Sequence, residues 1–207
     1  MNPQDSSLLI ELHYLPCVHF FSVLSQHEML ILEAHETFQK QSYRNRTRIL
    51  TAQKVESLHI PVLSGNSHMP IRDLRIDHSQ KWRLVHQRAI RSAYGKSPFF
   101  EYYAEDILRL YDKPIDFLFD FNLLQLTLCL KLLGWKNKIT FTSDYQEYST
   151  HSEGFSTDLR EQIHPKKPSD VVFKPYQQVF GRQFESNLSI IDVLFCEGNN
   201  SNPYVRT

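Results

Sequence analysis

This chain of 207 residues lacks net charge and is poor in glycine. Lysine plus arginine and aspartate plus glutamate both count 23, so the basic excess of a general nucleic-acid binder is missing. Six glycines leave little room for a glycine-rich phosphate loop, and neither a GxGxxG nor a Walker sequence occurs. We expect no nucleic-acid partner, and we expect any bound phosphate to be held by side chains.

Cysteine is also scarce, and long uncharged apolar runs are absent. The three cysteines are odd in number, lie far apart and have apolar neighbours, which is typical of reduced thiols in a cytoplasmic protein. The first residues, MNPQDSS, contain no basic region, so we expect no signal peptide. The longest apolar stretch, 115–135, includes aspartates, an asparagine, a glutamine and a lysine, so we expect a core helix and no membrane insertion.

No metal-binding motif such as HExxH or paired CxxC accompanies the ten histidines. We therefore expect no cofactor and no metal ligand. A meeting of His13, His19 and His35 with Glu33 keeps a metal-dependent hydrolase as an alternative. His86 lies beside an apolar helical stripe and is expected to be a hydrogen-bonded core histidine.

The pattern of apolar residues predicts a single α/β domain over 1–207 with a mixed sheet. A strand at 8–15, a helix at 18–26 and a strand at 29–34 form a βαβ-like start with parallel strands. Further strands are predicted at 43–49, 58–63, 71–76 and 138–143.

A cluster of helices is predicted over 79–135. Ser79 caps the first helix and Gly95 ends it, Ser97-Pro98 starts the second, and the third ends near Gly134.

The last part of the chain alternates irregular and helical patterns. Residues 144–170 are polar and mostly aperiodic, as in a long loop or lid, with one helical turn predicted at 158–163. The pattern over 187–198 predicts a short helix with a Ser189–Asp192 capping box, and 199–207 are expected to form a frayed tail.

The segment KQSYRNRTRI, 40–49, concentrates fixed positive charge. On a strand, Arg44, Arg46 and Arg48 would share one face and Tyr43 and Asn45 the other. Arginine cannot lose its charge, so either water solvates this face or an anion pairs with it. A solvated edge strand and a phosphate or carboxylate clamp are the two alternatives.

A candidate acid–base group precedes the basic segment. Glu33, His35 and Glu36 combine carboxylates with an imidazole, which is the composition of a general acid–base pair. The strand at 29–34 would bring these residues to its carboxyl end, where open α/β sheets place their ligands.

Three stretches taken together resemble the WbqC-like family. They are YLPCVHFF (14–21), KQSYRNRTRI (40–49) and YQQVFGRQFESNLSIIDVLFCEG (176–198), and 82–103 also fits. Members are bacterial, some are encoded with surface-polysaccharide genes, and a transfer reaction on an activated sugar has been suggested for them. The shared Ser-Tyr-x-Asn-Arg element favours the anion site over the solvated edge.

The chain departs from the family pattern in two places. Many members carry His-Gln-Pro where this chain has Ile10, Glu11 and Leu12, so His13 is the histidine that could take over such a role. Glu-Ala-His-Glu likewise replaces the paired aspartates of many members.

With the basic segment and the acid–base group, the resemblance implies a cytoplasmic enzyme of surface-polysaccharide biosynthesis that acts on a small anionic or sugar-nucleotide ligand. Lys40, Arg44 and Arg46 would bind the anion, and Tyr43 and Asn45 would orient the substrate. His35 or His13 would transfer a proton, with Glu33 or Glu36 as its partner. Gln178 and Asn187 would complete the pocket. A non-catalytic protein that binds a glycan precursor or a partner enzyme is the alternative beside the hydrolase, and the oligomeric state is left open.

Overall fold

The computed structural model describes residues 6–63, 69–145 and 157–206. The strands are β1 (Ser7–Glu11), β2 (Met29–Glu33), β3 (Arg46–Leu50), β4 (Val55–His59), β5 (Lys138–Phe141) and β6 (Thr157–Asp158). The helices are α1 (Val18–Leu24), α2 (Trp82–Tyr94), α3 (Phe100–Arg109), α4 (Leu118–Leu132), α5 (Ile190–Glu197) and α6 (Asn202–Val205). The predicted α/β class is confirmed.

A parallel sheet in the order β5-β2-β1-β6 forms the centre of the fold. The predicted βαβ start is confirmed, because β1 and β2 pair in parallel with α1 between them. β1 is buried along its whole length, as expected for a parallel strand covered on both faces.

The antiparallel strands β3 and β4 form a separate two-stranded sheet. Its first strand begins at Arg46, so the strand predicted over 43–49 begins too early. The strand predicted over 71–76 is wrong, because residues Ile71–Asp73 form a 3₁₀ turn. Ile71, Leu74 and Ile76 are buried, and packing of this turn satisfies the apolar pattern that resembled a strand.

The helical cluster over 79–135 is confirmed as α2, α3 and α4, but its first cap differs. The residue that precedes α2 is Lys81, and the Ser79 hydroxyl donates to Asp77 Oδ1 at 2.6 Å instead of capping the helix. No helix in the described part of the chain is both long and apolar enough to cross a membrane.

The C-terminal segment is more ordered than its sequence indicates. α5 is confirmed, but Ser189 donates its hydroxyl to Leu15 O at 3.0 Å, so the predicted capping box does not form. Beyond Gly198 the chain makes α6, and Val205 is fully buried, in contrast to the frayed tail expected there.

The predicted loop over 144–170 is described only in part, because 146–156 lie outside the described residues. The helical turn predicted at 158–163 is wrong: β6 pairs with β1, and Glu161 takes a left-handed backbone conformation with φ of 61°. This pairing places 158–161 over the carboxyl end of the sheet.

Candidate active site

Three carboxylates are buried at the carboxyl end of the parallel sheet. Glu11 ends β1, Glu33 ends β2, and the two residues are partners in the strand register. Glu36 follows three residues after β2, and its side chain is also buried. Carboxyl ends of neighbouring parallel strands meet at one edge, so the strand order itself brings these acids together.

Arg44 neutralises two of these carboxylates. Its Nε donates to Glu36 Oε1 at 2.7 Å and its Nη2 donates to Glu36 Oε2, while its Nη1 lies 3.8 Å from Glu11 Oε1. The backbone holds this position because Asn122 Nδ2 donates to Arg44 O at 2.7 Å. Arg44 is therefore a buried member of an ion network, since its two-pronged donor group is occupied by Glu36.

A second guanidinium reaches the cluster from the segment after β6. Arg160 Nη1 donates to Glu33 Oε2 at 2.9 Å, and Arg160 Nη2 donates to Asp158 Oδ2 at 2.7 Å. The other oxygen of Glu33 accepts from Thr142 Oγ1 at 2.8 Å and from the backbone N–H of His35 at 2.9 Å. Glu33 is thus fixed by three hydrogen-bond donors from different parts of the chain.

The surroundings of Glu11 and Glu36 shift the pKa values of these two carboxylates in opposite directions. Burial would raise the pKa of Glu11, but hydrogen bonding and attraction from His13, together with attraction from Arg44, lower it to about 2. Burial, helped by repulsion from Glu11 and Glu33, raises the pKa of Glu36 to about 7 against the attraction of Arg44. Arg44 is shared between two acids, and Glu36 is the one whose pKa lies near neutral pH.

His13 and Glu11 form a buried carboxylate–imidazole pair. His13 Nε2 lies 3.1 Å from Glu11 Oε1, and the ring packs against Phe20 and Tyr43 with centroids 5.2 and 5.4 Å away. His13 Nδ1 has no hydrogen-bond partner among the described residues. This pair connects through Glu11 to the network of Arg44 and Glu36.

A polar cleft of about 210 Å³ opens beside Glu36. Its volume is below the roughly 300–1,000 Å³ of sites for drug-sized ligands, so it has room for one small polar ring or a smaller polar group. The Arg160 guanidinium lies 5.4 Å from the centre of the Tyr145 ring at the wall. The residues that line the cleft are Glu36, Tyr145, Arg160, Glu161, Gln162 and Lys167.

One lysine, Lys167, lines this cleft, and two more lie on the adjacent loops. Lys167 Nζ donates to Glu161 O at 2.8 Å, and Lys166 Nζ donates to Gln41 Oε1 at 2.6 Å. Lys40, predicted from the sequence to bind an anion, is exposed immediately before Gln41. The rim therefore presents positive charge next to the buried acids.

The predicted proton-transfer residues are only partly gathered in one place. His13, Glu33 and Glu36 belong to the buried network described above. His35 is exposed, and its recorded contact with the network is made by its backbone.

The residues predicted on the arginine strand separate from one another. Because β3 begins at Arg46, Arg44 precedes the strand and does not share the face of Arg46 and Arg48, which corrects that expectation. Tyr43 is buried beside His13. Asn45 Nδ2 donates to Ile60 O at 2.9 Å, and Arg46 is half-buried in the hairpin.

Gln178 and Asn187 support the loops around α5. Gln178 Nε2 donates to Asp192 Oδ2 at 3.0 Å and to Glu185 O at 2.9 Å. Asn187 Oδ1 accepts from the backbone N–H of His19 at 3.0 Å, with a left-handed φ of 53°. Neither residue is among those described as lining the cleft, so their predicted place in the pocket stays a prediction.

Sequence reasoning missed three members of the network: Glu11, Asp158 and Arg160. Glu11 carried a usable signal, because it and Glu33 both end apolar strands that were predicted to be parallel. Asp158 and Arg160 carried none, since they lie in a polar stretch whose pairing with β1 joins residues about 150 positions apart.

The histidine, cysteine and acidic residues do not assemble into a metal centre in the described ranges. No group of three or more of them is arranged there to hold a metal ion. The buried acids instead direct their oxygens at guanidinium, imidazole and backbone N–H groups.

Comparison with known proteins identifies the family to which this chain belongs. The chain is 23% identical over 224 aligned residues to the uncharacterised protein Rv1507c of Mycobacterium tuberculosis, and the alignment covers 96% of each chain. No solved structure matches it significantly. The model of the WbqC-like protein family matches residues 12–169, which include β2, Arg44 and Arg160. The chain therefore belongs to the WbqC-like protein family.

Proposed function

We propose that this protein is an enzyme that transfers a group to or from an activated sugar in surface-polysaccharide biosynthesis. The observation that carries the proposal is Glu36, which is only 5% exposed, lines the polar cleft and has its pKa raised to about 7. A group with a pKa near the working pH is the most effective general acid or base. Surface-polysaccharide biosynthesis is proposed as the pathway because some family members are encoded with surface-polysaccharide genes.

The cleft is suited to a sugar ring because it combines an aromatic wall with hydrogen-bonding groups of both kinds. Glu36 and Glu161 offer acceptors, while Gln162 and Lys167 offer donors, and Tyr145 supplies the ring. Sugar hydroxyls both donate and accept, so they use such a mixed lining better than a purely apolar ligand does.

Glu36 is proposed as the catalytic base, with Arg44 as its positioning residue. The acceptor hydroxyl gives its proton to the Glu36 carboxylate while its oxygen bonds to the transferred group. The bond from that group to its leaving group breaks at the same time, and the leaving group departs with the electron pair. Arg44 holds the carboxylate in place and favours its ionised form, since it donates to both oxygens.

The phosphate of an activated sugar is proposed to bind at the lysine rim. Lys167 borders the cleft, and Lys166 and Lys40 lie near it on two neighbouring loops. Arg44 is engaged by Glu36, so its predicted role in binding an anion passes to these lysines. Arg46, on the hairpin, stays a predicted anion ligand that the same experiment tests.

Thermal shift with UDP-glucose, GDP-mannose and dTDP-glucose tests binding. We expect stabilisation of the wild-type protein and of Glu36→Gln, and a loss of the shift in Lys167→Ala. Lys131→Ala, an exposed lysine of α4, is the matched control. Loss of the shift in Arg46→Ala but not in Lys167→Ala would move the anion site to the hairpin.

Turnover is tested by mass spectrometry with the stabilising sugar and a panel of acceptors. We expect product with the wild-type protein, and at least a hundredfold less with Glu36→Gln, because general-base catalysis contributes roughly 10²–10⁴-fold. Binding with no product from any acceptor would favour the non-catalytic glycan-precursor binder. Full activity of Glu36→Gln would refute the assignment of the base.

A further inference from the structure

Helix α2 presents a solvent-facing side that is basic and carries no acid. Arg88 and Arg91 on α2, Lys81 immediately before it and Lys96 just after it are all exposed, and the spacing of 81, 88 and 91 brings those three residues to one side of the helix. We call these four residues the basic face. Residues 80–100 contain no aspartate or glutamate, although the chain as a whole is neutral.

Two branched apolar side chains lie within the basic face. Leu84 is 43% exposed and Val85 is 57% exposed, on the turn between Lys81 and Arg88. The opposite side of α2 is buried through Trp82, His86, Ile90, Ala93 and Tyr94. Leu84 and Val85 are therefore not needed for the core, since the helix already packs through its other side.

Neighbouring acids do not neutralise this surface. The nearest in sequence are Asp77, which accepts from Ser79 and Gln80, and Glu101 in the first turn of α3; further along the chain, Asp112 accepts from Gln87. None of the four cations of the basic face forms an ion pair with another described residue. The positive charge is available to a partner outside the chain.

We propose that the basic face of α2 docks on the surface of an anionic lipid bilayer. A helix side that combines lysine and arginine with exposed leucine and valine is typical of interfacial helices, which place cations at headgroups and apolar groups just below. Attraction to an anionic leaflet acts within a Debye length of about 8 Å, so a local patch on a neutral protein is sufficient.

A lipid surface fits this side better than nucleic acid or an acidic protein does. Phosphate backbones are bound by cations and polar groups, and exposed Leu84 and Val85 at the centre of the face have no role there. The docking is peripheral and independent of the proposed activity, because it uses only the outer side of α2.

Co-sedimentation of the full chain with vesicles tests the proposal. We expect binding to vesicles of equal parts phosphatidylcholine and phosphatidylglycerol, release by high salt, and no binding to phosphatidylcholine alone. Arg88→Glu/Arg91→Glu should weaken binding by about fivefold or more for each positive charge removed. Leu84→Ser/Val85→Ser should weaken the part of the wild-type binding that remains at moderate salt.

The matched control is Lys131→Glu/Lys138→Glu, which makes the same charge change at two exposed lysines of α4 and β5. This control variant should bind anionic vesicles like the wild-type protein. Circular dichroism should show that all variants are folded. Absence of binding to anionic vesicles, equal binding to neutral ones, or loss only in the Lys131/Lys138 variant would overturn the proposal. So would binding to duplex DNA or polyglutamate without binding to lipid.

Discussion

The pH dependence of stability gives a direct test of the proton affinity of Glu36. Burial, with repulsion from Glu11 and Glu33, raises its pKa from 4.5 to about 7. Between these values the folded chain holds a proton that the unfolded chain has lost, so the free energy of unfolding falls as pH rises through this window. The difference corresponds to roughly 3 kcal/mol, fully lost above about pH 7.

Other groups titrate in the same range with the opposite sign. Burial lowers the pKa of four histidines: His19, His59, His86 and His164. As the pH falls, these histidines take up protons in the unfolded chain before they do so in the folded chain. Their contribution therefore makes the free energy of unfolding rise with pH towards neutrality. Comparison of the wild-type protein with Glu36→Gln at each pH cancels this contribution. Urea unfolding should show the wild type losing roughly 3 kcal/mol relative to the variant between about pH 4.5 and 7.

The control for the lost carboxylate is Glu161→Gln, an exposed acid of the same cleft. The difference between its stability curve and that of the wild-type protein shows how much the loss of one negative charge at the cleft changes stability by itself. If the curves of Glu36→Gln and the wild-type protein run parallel to within about 1 kcal/mol, Glu36 is ionised across the range and cannot hold a proton at neutral pH. That result would refute the burial argument and remove the raised pKa on which the choice of Glu36 as the base rests.

Three further predictions concern the network, one glycine and the thiols. Arg160→Met should cost about 3–5 kcal/mol in urea unfolding, because Glu33 and Asp158 lose their buried partner, and a cost under about 1 kcal/mol would contradict the network. Gly198→Ala should cost about 1–3 kcal/mol, since a Cβ would lie 2.3 Å from the Phe99 ring at a φ of +56°, and unchanged stability would contradict this close packing. Burial raises the pKa of all three thiols, which are Cys17, Cys129 and Cys196. The native protein should therefore resist Ellman's reagent at about pH 8 and react only in urea. One rapidly reacting thiol in the native protein would contradict this.

Elements with a strong apolar period were predictable from the sequence, and those defined by distant contacts were not. α2, α3 and α4 carry buried stripes that a local pattern reveals, and β1 and β2 are short apolar runs. The turn at 71–76 carries a similar alternation, but Ile71 N–H bonds to Glu36 O, so a contact across the chain decides its shape.

The same distinction explains which parts of the candidate site were found. Glu33 and Glu36 were predicted because they lie at and just beyond the carboxyl end of an apolar strand. Arg44 was predicted as a cation but given the wrong setting, because the alternation over 43–49 does not show where β3 starts. Arg160 could not be placed, since its position depends on two residues of β6 pairing with β1.

The buried charge network is better explained by its use than by stability. Replacing a buried ion pair with packed apolar groups is often neutral or stabilising, so the pairs of Arg44 and Arg160 are a costly way to fill a core. Two further costs lie on the loops beside them, because Gln41 and Glu161 both have a left-handed φ of 61°, at roughly 1–3 kcal/mol each. Strain and buried charge therefore coincide at the carboxyl end of the sheet, beside the cleft. Stability alone does not explain why they are concentrated there, whereas the proposed site, which would fix one acid and leave another able to exchange a proton, accounts for this arrangement.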